Sequence, residues 1–144
     1  MTAHLQTIDH TVQLTREWVH ELSKLLDWND EQRAWRMLRV TLQALRDWLN
    51  VNEAAQLGAQ LPLLVRGLYY EGWQPAKTPV AERGKERFLA RVQAAFEPDS
   101  IDDPEEAVCN VFRLLNNRIS AGEISDVRQR LPKNLRELWP EKAT

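Results

Sequence analysis

The strongest constraint on this chain is a phrase that it carries twice. Leu61-Pro62, followed by Arg66 and Leu68-Tyr69, recurs as Leu131-Pro132, followed by Arg136 and Leu138-Trp139. Slid by that single offset, the segments Thr15–Tyr69 and Lys85–Trp139 align without a gap. Trp18, Val19 and Leu22 fall on Phe88, Leu89 and Val92, and Leu26 falls on Phe96. Leu38, Leu42, Leu45 and Leu49 fall on Val108, Phe112, Leu115 and Ile119, and Leu57 falls on Val127. Leu45, Glu53, Leu61, Pro62, Arg66 and Leu68 recur unchanged. Apolar identity is cheap in a leucine-rich chain, so the gapless register and the shared ending carry the argument. Self-similarity at a fixed offset marks a structural repeat.

Each unit reads as helical. Trp18, Val19, Leu22, Leu25 and Leu26 form an apolar stripe at helical spacing, which predicts a first helix over Thr15–Leu26. A second begins at Asp30-Glu31, where the aspartate caps free N–H groups, and runs to Leu49 with Trp35, Leu38, Leu42 and Leu45 facing inward. Its counterpart opens at Asp102-Asp103-Pro104-Glu105-Glu106, where cap, proline and acids all suit a helix N-terminus. Asn52 and Ser120 are the expected caps of a third helix that ends near Leu61 or Leu131. The proline that follows is expected at the first position of a last short helix, Pro62–Tyr69 or Pro132–Trp139. Residues 1–14 read as a polar lead segment, 71–84 as a linker with Gly72, Pro75 and Pro79, and 141–144 as a tail. A unit of roughly 55 residues buries too little surface to be very stable alone. The expectation is therefore an all-α fold of two tandem repeats, 15–70 and 85–140, of about four helices each, packed as one pseudo-twofold bundle.

Composition narrows the function classes. Hydrophobic residues make up 43% of the chain, enough for a real core. The formal net charge is −2, without the basic surplus usual in nucleic-acid binders. Cys109 is the only cysteine, which excludes an internal disulfide. No apolar run approaches the ~20 residues needed to span a bilayer. The start Met1-Thr-Ala-His-Leu-Gln lacks the regions of a signal peptide, so a cytoplasmic location is expected.

The strings Ala54-Ala-Gln-Leu-Gly-Ala-Gln60 and Leu61-Pro-Leu-Leu-Val-Arg-Gly-Leu-Tyr-Tyr-Glu-Gly-Trp73 are distinctive. So are Asp103-Pro-Glu-Glu106, Ser120-Ala-Gly-Glu-Ile-Ser-Asp-Val127, and Leu131-Pro132 through Trp139-Pro140. From Thr15 to Pro140 the chain resembles the bacterial domain-of-unknown-function family 2267. The resemblance implies a bacterial, cytoplasmic, helical protein and carries no activity or catalytic residues with it. One departure is Gly84, where a capping Ser or Thr is more usual.

Candidate chemistry weakens on inspection. Glu17-x-x-His20-Glu21 echoes the Glu-x-x-His element of di-iron bundles, but that chemistry needs the element twice. The positions in register are Arg87, Ala90 and Arg91, so a solvated helix face is the better reading. His4 and His10, near Asp9, lack any partner at ligand spacing. Cys109 sits between apolar residues on a helix that opens with acids, which suits a structural thiol better than a nucleophile. No catalytic residue, metal ligand or cofactor is assigned.

Two surfaces remain. Arg33, Arg36, Arg39 and Arg46, with Gln32 and Gln43, form a candidate basic stripe on the second helix. The counterpart face reads Asp102, Asp103, Glu106, Arg113 and Asn116, so the two faces are candidates to pair, although plain solvation is the blander reading. Arg66, Tyr70, Trp73 and Trp48 form a candidate interaction surface, since arginine with aromatics is enriched at binding hot spots. Trp73 instead pins the linker on the blander reading, and Tyr69, in register with Trp139, belongs to the core. Trp48 and Trp28 fall in register with Arg118 and Pro98, which predicts partial exposure. The first functional expectation is a non-enzymatic helical protein-interaction module or homo-oligomer. The alternative is a small-ligand carrier or sensor with a cleft between the units. Nucleic-acid binding, which needs the arginine stripe on one open face, ranks below both, and an enzyme last.

Overall fold

A computed structural model describes residues 5–81 and 84–141. His4, Glu82, Arg83 and the tail beyond Glu141 lie outside the described residues. The described residues form helices α1 (Gln6–Leu26), α2 (Glu31–Trp48), α3 (Val51–Ala59), α4 (Leu63–Tyr70), α5 (Lys85–Ala94), α6 (Pro104–Arg118), α7 (Ala121–Arg130) and α8 (Lys133–Arg136). Among the described residues of the linker, Pro75–Lys77 form a 3-10 turn. The fold is all-helical, and no helix of the described residues is long and apolar enough to cross a membrane.

Local chemistry sets the helix ends. Asp30, Asn50, Asp103 and Ser120 each accept a bond from the backbone N–H three residues on, which satisfies an otherwise open donor. Asn50 takes the role expected of Asn52, because its extended backbone brings the side chain back over the first turn. Pro62 and Pro132 stand just outside α4 and α8 as cap residues with extended ψ, not at the first helical position. Gly84 precedes α5 in an extended conformation and gives no side-chain cap.

The largest departure is at the start. The expected lead segment is helical from Gln6, so α1 carries extra turns ahead of Thr15. Those turns are held by threonine instead of leucine. Thr11 and Thr15 are both buried, and Thr15 Oγ1 donates to the Thr11 carbonyl at 2.6 Å. Such back-bonding satisfies a buried hydroxyl inside a helix.

Apolar residues of the first half (Trp18, Leu22, Leu38, Leu42, Leu45, Leu57) and of the second (Phe88, Phe96, Val108, Phe112, Leu115, Leu135) belong to one buried cluster. Helix α1 packs on α2, α4 and α6. Helix α2 also packs on α4, α5 and α6, α3 on α7, and α5 on α6 and α8. Polar links cross between the halves. Glu21 accepts from Arg118 at 2.7 Å and from Asn117 at 2.8 Å, while Arg91 reaches Asp47 at 2.8 Å. The linker is tied down where the Val80 N–H donates to the Asp47 carbonyl. Gly72 turns the chain after α4 with φ 76°, a conformation that glycine adopts without the Cβ penalty of other residues.

Candidate interaction surface

The arginines of the expected basic stripe have separate fates. Arg46 is 3% exposed and lies inside the protein. Its Nη1 donates to the carbonyls of Tyr69 and Glu71, both at 2.8 Å, and its Nε and Nη2 hold Asp47. It closes the end of α4 onto α2. Arg33 is bent across the halves. It donates to the Asp99 carboxylate at 2.8 Å and to the Asp99 and Ser100 carbonyls, and its guanidinium lies over the rings of Trp28 and Phe96. Arg36 is exposed, with its guanidinium 5.6 Å from the Phe96 centroid, and Arg39 is half-buried. The expected single open basic face is thus corrected: one member is interior and another is spent on an internal ion pair.

The aromatic group is also split. Arg66 donates through Nε to the Gly58 carbonyl at 2.9 Å and through Nη2 to the Leu61 and Ala59 carbonyls. It therefore caps the C-terminal end of α3, where a cation also suits the helix dipole. Arg136 does the same at the end of α7, with Nη2 on the Leu131 carbonyl at 3.0 Å. Tyr70 and Trp73 are half-buried neighbours with ring centroids 5.3 Å apart, and Tyr70 also packs edgewise on Tyr69. Trp48 is the second correction. It is 3% exposed and meets Phe88 edge-on at 5.2 Å. The inference from Arg118 failed because an arginine can bury its stem and still carry its charge outward, here to Glu21. Trp28 is half-buried against Phe96.

The other candidates take ordinary roles. His20 Nδ1 lies 3.0 Å from Glu31 Oε1, and Glu21 is held by Arg118 and Asn117. Cys109 is half-buried, and burial pushes its thiol up, with Arg113 pulling the other way and Glu106 adding to the rise. Among the described residues, no three His, Cys, Asp or Glu side chains converge as metal ligands.

Sequence reasoning missed a set of exposed apolar side chains at the starts of α1 and α4. Leu5, Ile8, Leu63 and Leu64 are 61%, 52%, 53% and 46% exposed. The Leu64 N–H donates to Thr11 Oγ1 at 3.3 Å, which sets the first turn of α4 beside α1, one turn from Ile8. The register held a signal for it. Where the first half has Leu63 and Leu64, the second has Lys133 and Asn134. Both leucines are exposed, so neither is a core requirement.

A cleft of about 450 Å³ lies between the halves, lined by Trp28, Asp30 and Arg33 on one side and by Asp99, Asp103 and Glu106 on the other. Asp30 and Asp103 serve as helix caps, and Asp99 holds Arg33. Three of the carboxylates facing this space, Asp30, Asp99 and Asp103, are thus already engaged in holding the fold.

A family model described as "Uncharacterized conserved protein (DUF2267)" matches residues 15–138, and the chain belongs to that family. No curated protein matches it.

Proposed function

We propose that this family member is a non-enzymatic helical interaction module that pairs with a second copy of itself through the apolar end of α1 and α4. The observation that carries the reading is the exposure of Leu5, Ile8, Leu63 and Leu64 on neighbouring helix starts. Grouped apolar side chains at positions that do not require them mark contact surfaces more than scattered ones do. A twofold pairing sets the patch against itself, and aliphatic surface is self-complementary without any charge matching. Four aliphatic side chains with their surroundings lie at the small end of interfaces, so the association is weak and concentration-dependent.

The internal architecture we read as two tandem units about a pseudo-twofold axis. Reciprocal packing supports this: α1 rests on α6 as α5 rests on α2, while α2 meets α6 and α3 meets α7. The paired caps Asn50 and Ser120 and the paired carbonyl clamps Arg66 and Arg136 support it too. The carrier reading draws on the cleft between the halves, but its engaged carboxylates favour it less than the open apolar patch favours contact. A reducing, cytoplasmic setting fits the free thiol of Cys109.

The test is sedimentation velocity over a dilution series of the wild type and the double variant Leu63→Lys, Leu64→Asn. The account expects a wild-type sedimentation coefficient that rises with concentration, and a variant that stays monomeric with an unchanged Tm. Monomers throughout for both proteins would overturn it.

A further inference from the structure

The second half contains a cleft of about 240 Å³ lined by Asn116, Ile124, Ser125, Arg128, Gln129 and Arg136, with Ala121 at its edge. No carboxylate lines it. Both arginines carry an Nε atom that is removed from solvent and has no hydrogen-bond partner among the described residues. Because neither Nε is exposed, a molecule in the cleft would meet these arginines through their terminal guanidinium nitrogens.

The first half explains how this cleft arises. In register with Arg136 stands Arg66, whose Nε is spent on the Gly58 carbonyl at 2.9 Å. In register with Arg128 stands Gly58 itself, and in register with Pro140 stands Tyr70. The Tyr70 ring lies directly over Gly58, so the matching space in the first half is filled by the protein's own side chain. In the second half proline replaces the tyrosine, arginine replaces the glycine, and the space stays open. Arg136 is held in place by its Nη2 bonds to the Leu131 and Gln129 carbonyls, while Asn116 is fixed by Trp139 Nε1 and the Pro140 carbonyl. Arg136 and Asn116 are therefore preorganised.

From this geometry we propose that the cleft binds a small organic oxyanion, a phosphate or carboxylate head gripped by Arg128 and Arg136 with a short apolar part against Ile124. Two guanidinium groups favour such heads because charge-assisted N–H donors are roughly twice as strong as neutral ones. The volume falls below that of drug-sized sites, which limits the ligand to a few heavy atoms beyond its head. The inference concerns the second half alone and does not depend on self-association at α1 and α4.

Nitrogen-15 NMR of the full chain tests it, reading the arginine Nε–Hε signals while inorganic phosphate or butyrate is titrated at constant ionic strength against chloride. The expected result is saturable movement of the Arg128 and Arg136 signals, with affinity reduced about tenfold or more in Arg128→Gln. The backbone spectrum of the variant checks that it folds, and Ser125→Ala serves as a second probe of the wall. Tighter phosphate binding assigns a phosphoryl ligand, and tighter butyrate binding a carboxylate with an apolar tail. Movement spread over all arginines, or no saturation with either probe, would overturn the proposal.

Discussion

The Tyr70 ring occupies the volume that a side chain at Gly58 would need. A Cβ at Gly58 would collide with the Tyr70 hydroxyl and come within 3.1 Å of Tyr69 Cε2. Gly67, on α4, has nothing within 4 Å of the same point. The two glycines should therefore respond oppositely to alanine. Gly67→Ala should stabilise by about 0.5–1 kcal/mol through helix propensity. Gly58→Ala should destabilise by about 1–2 kcal/mol, because displaced aromatic packing outweighs the same propensity gain. Urea unfolding of both variants checks this, and stabilisation of both would contradict it.

Arg46 offers a second test. Its guanidinium satisfies the carbonyls of Tyr69 and Glu71 and the Asp47 carboxylate from an interior position. Arg46→Met should cost about 2–4 kcal/mol, because it leaves buried acceptors unmet. Arg46→Lys should recover only part, since an ammonium lacks the planar fork. Thermal and urea unfolding read both variants, and a methionine variant as stable as the wild type would contradict the assignment.

Glu123 predicts a pH effect. Burial first, then the negative charges of Asp126 and Glu53, push its carboxyl above the ordinary value. The folded state then binds the proton at pH values where the unfolded chain has released it. Stability from this group rises as pH falls through the raised folded pKa and levels off below the unfolded pKa. Glu123→Gln keeps the backbone bond to Ser120 and removes the charge. It should raise Tm by a few degrees at neutral pH, with the gain shrinking toward zero near pH ~4. A gain that is constant with pH would contradict this.

The parts of the fold that were legible in sequence are those written in short-range chemistry. Asp30 and Asp103 announce α2 and α6, and leucine spacing gives their inner faces. The start of α1 was hidden because its buried positions are Thr11 and Thr15, which read as polar until their hydroxyls find partners. Trp48 and Arg46 were misplaced because exposure depends on where a long side chain ends, which the residue in register does not reveal. Leu63 and Leu64 were not singled out in the sequence, because leucine content alone does not say which face of a short helix is left uncovered.

The central claim is that the exposed ends of α1 and α4 form a self-contact, and a dilution series of nitrogen-15 backbone spectra tests it most directly. The account predicts concentration-dependent shifts confined to the amides around Leu5, Ile8, Leu63 and Leu64, abolished by Leu63→Lys with Leu64→Asn. A spectrum independent of concentration, or shifts centred instead on Trp28 and Asp99, would contradict it.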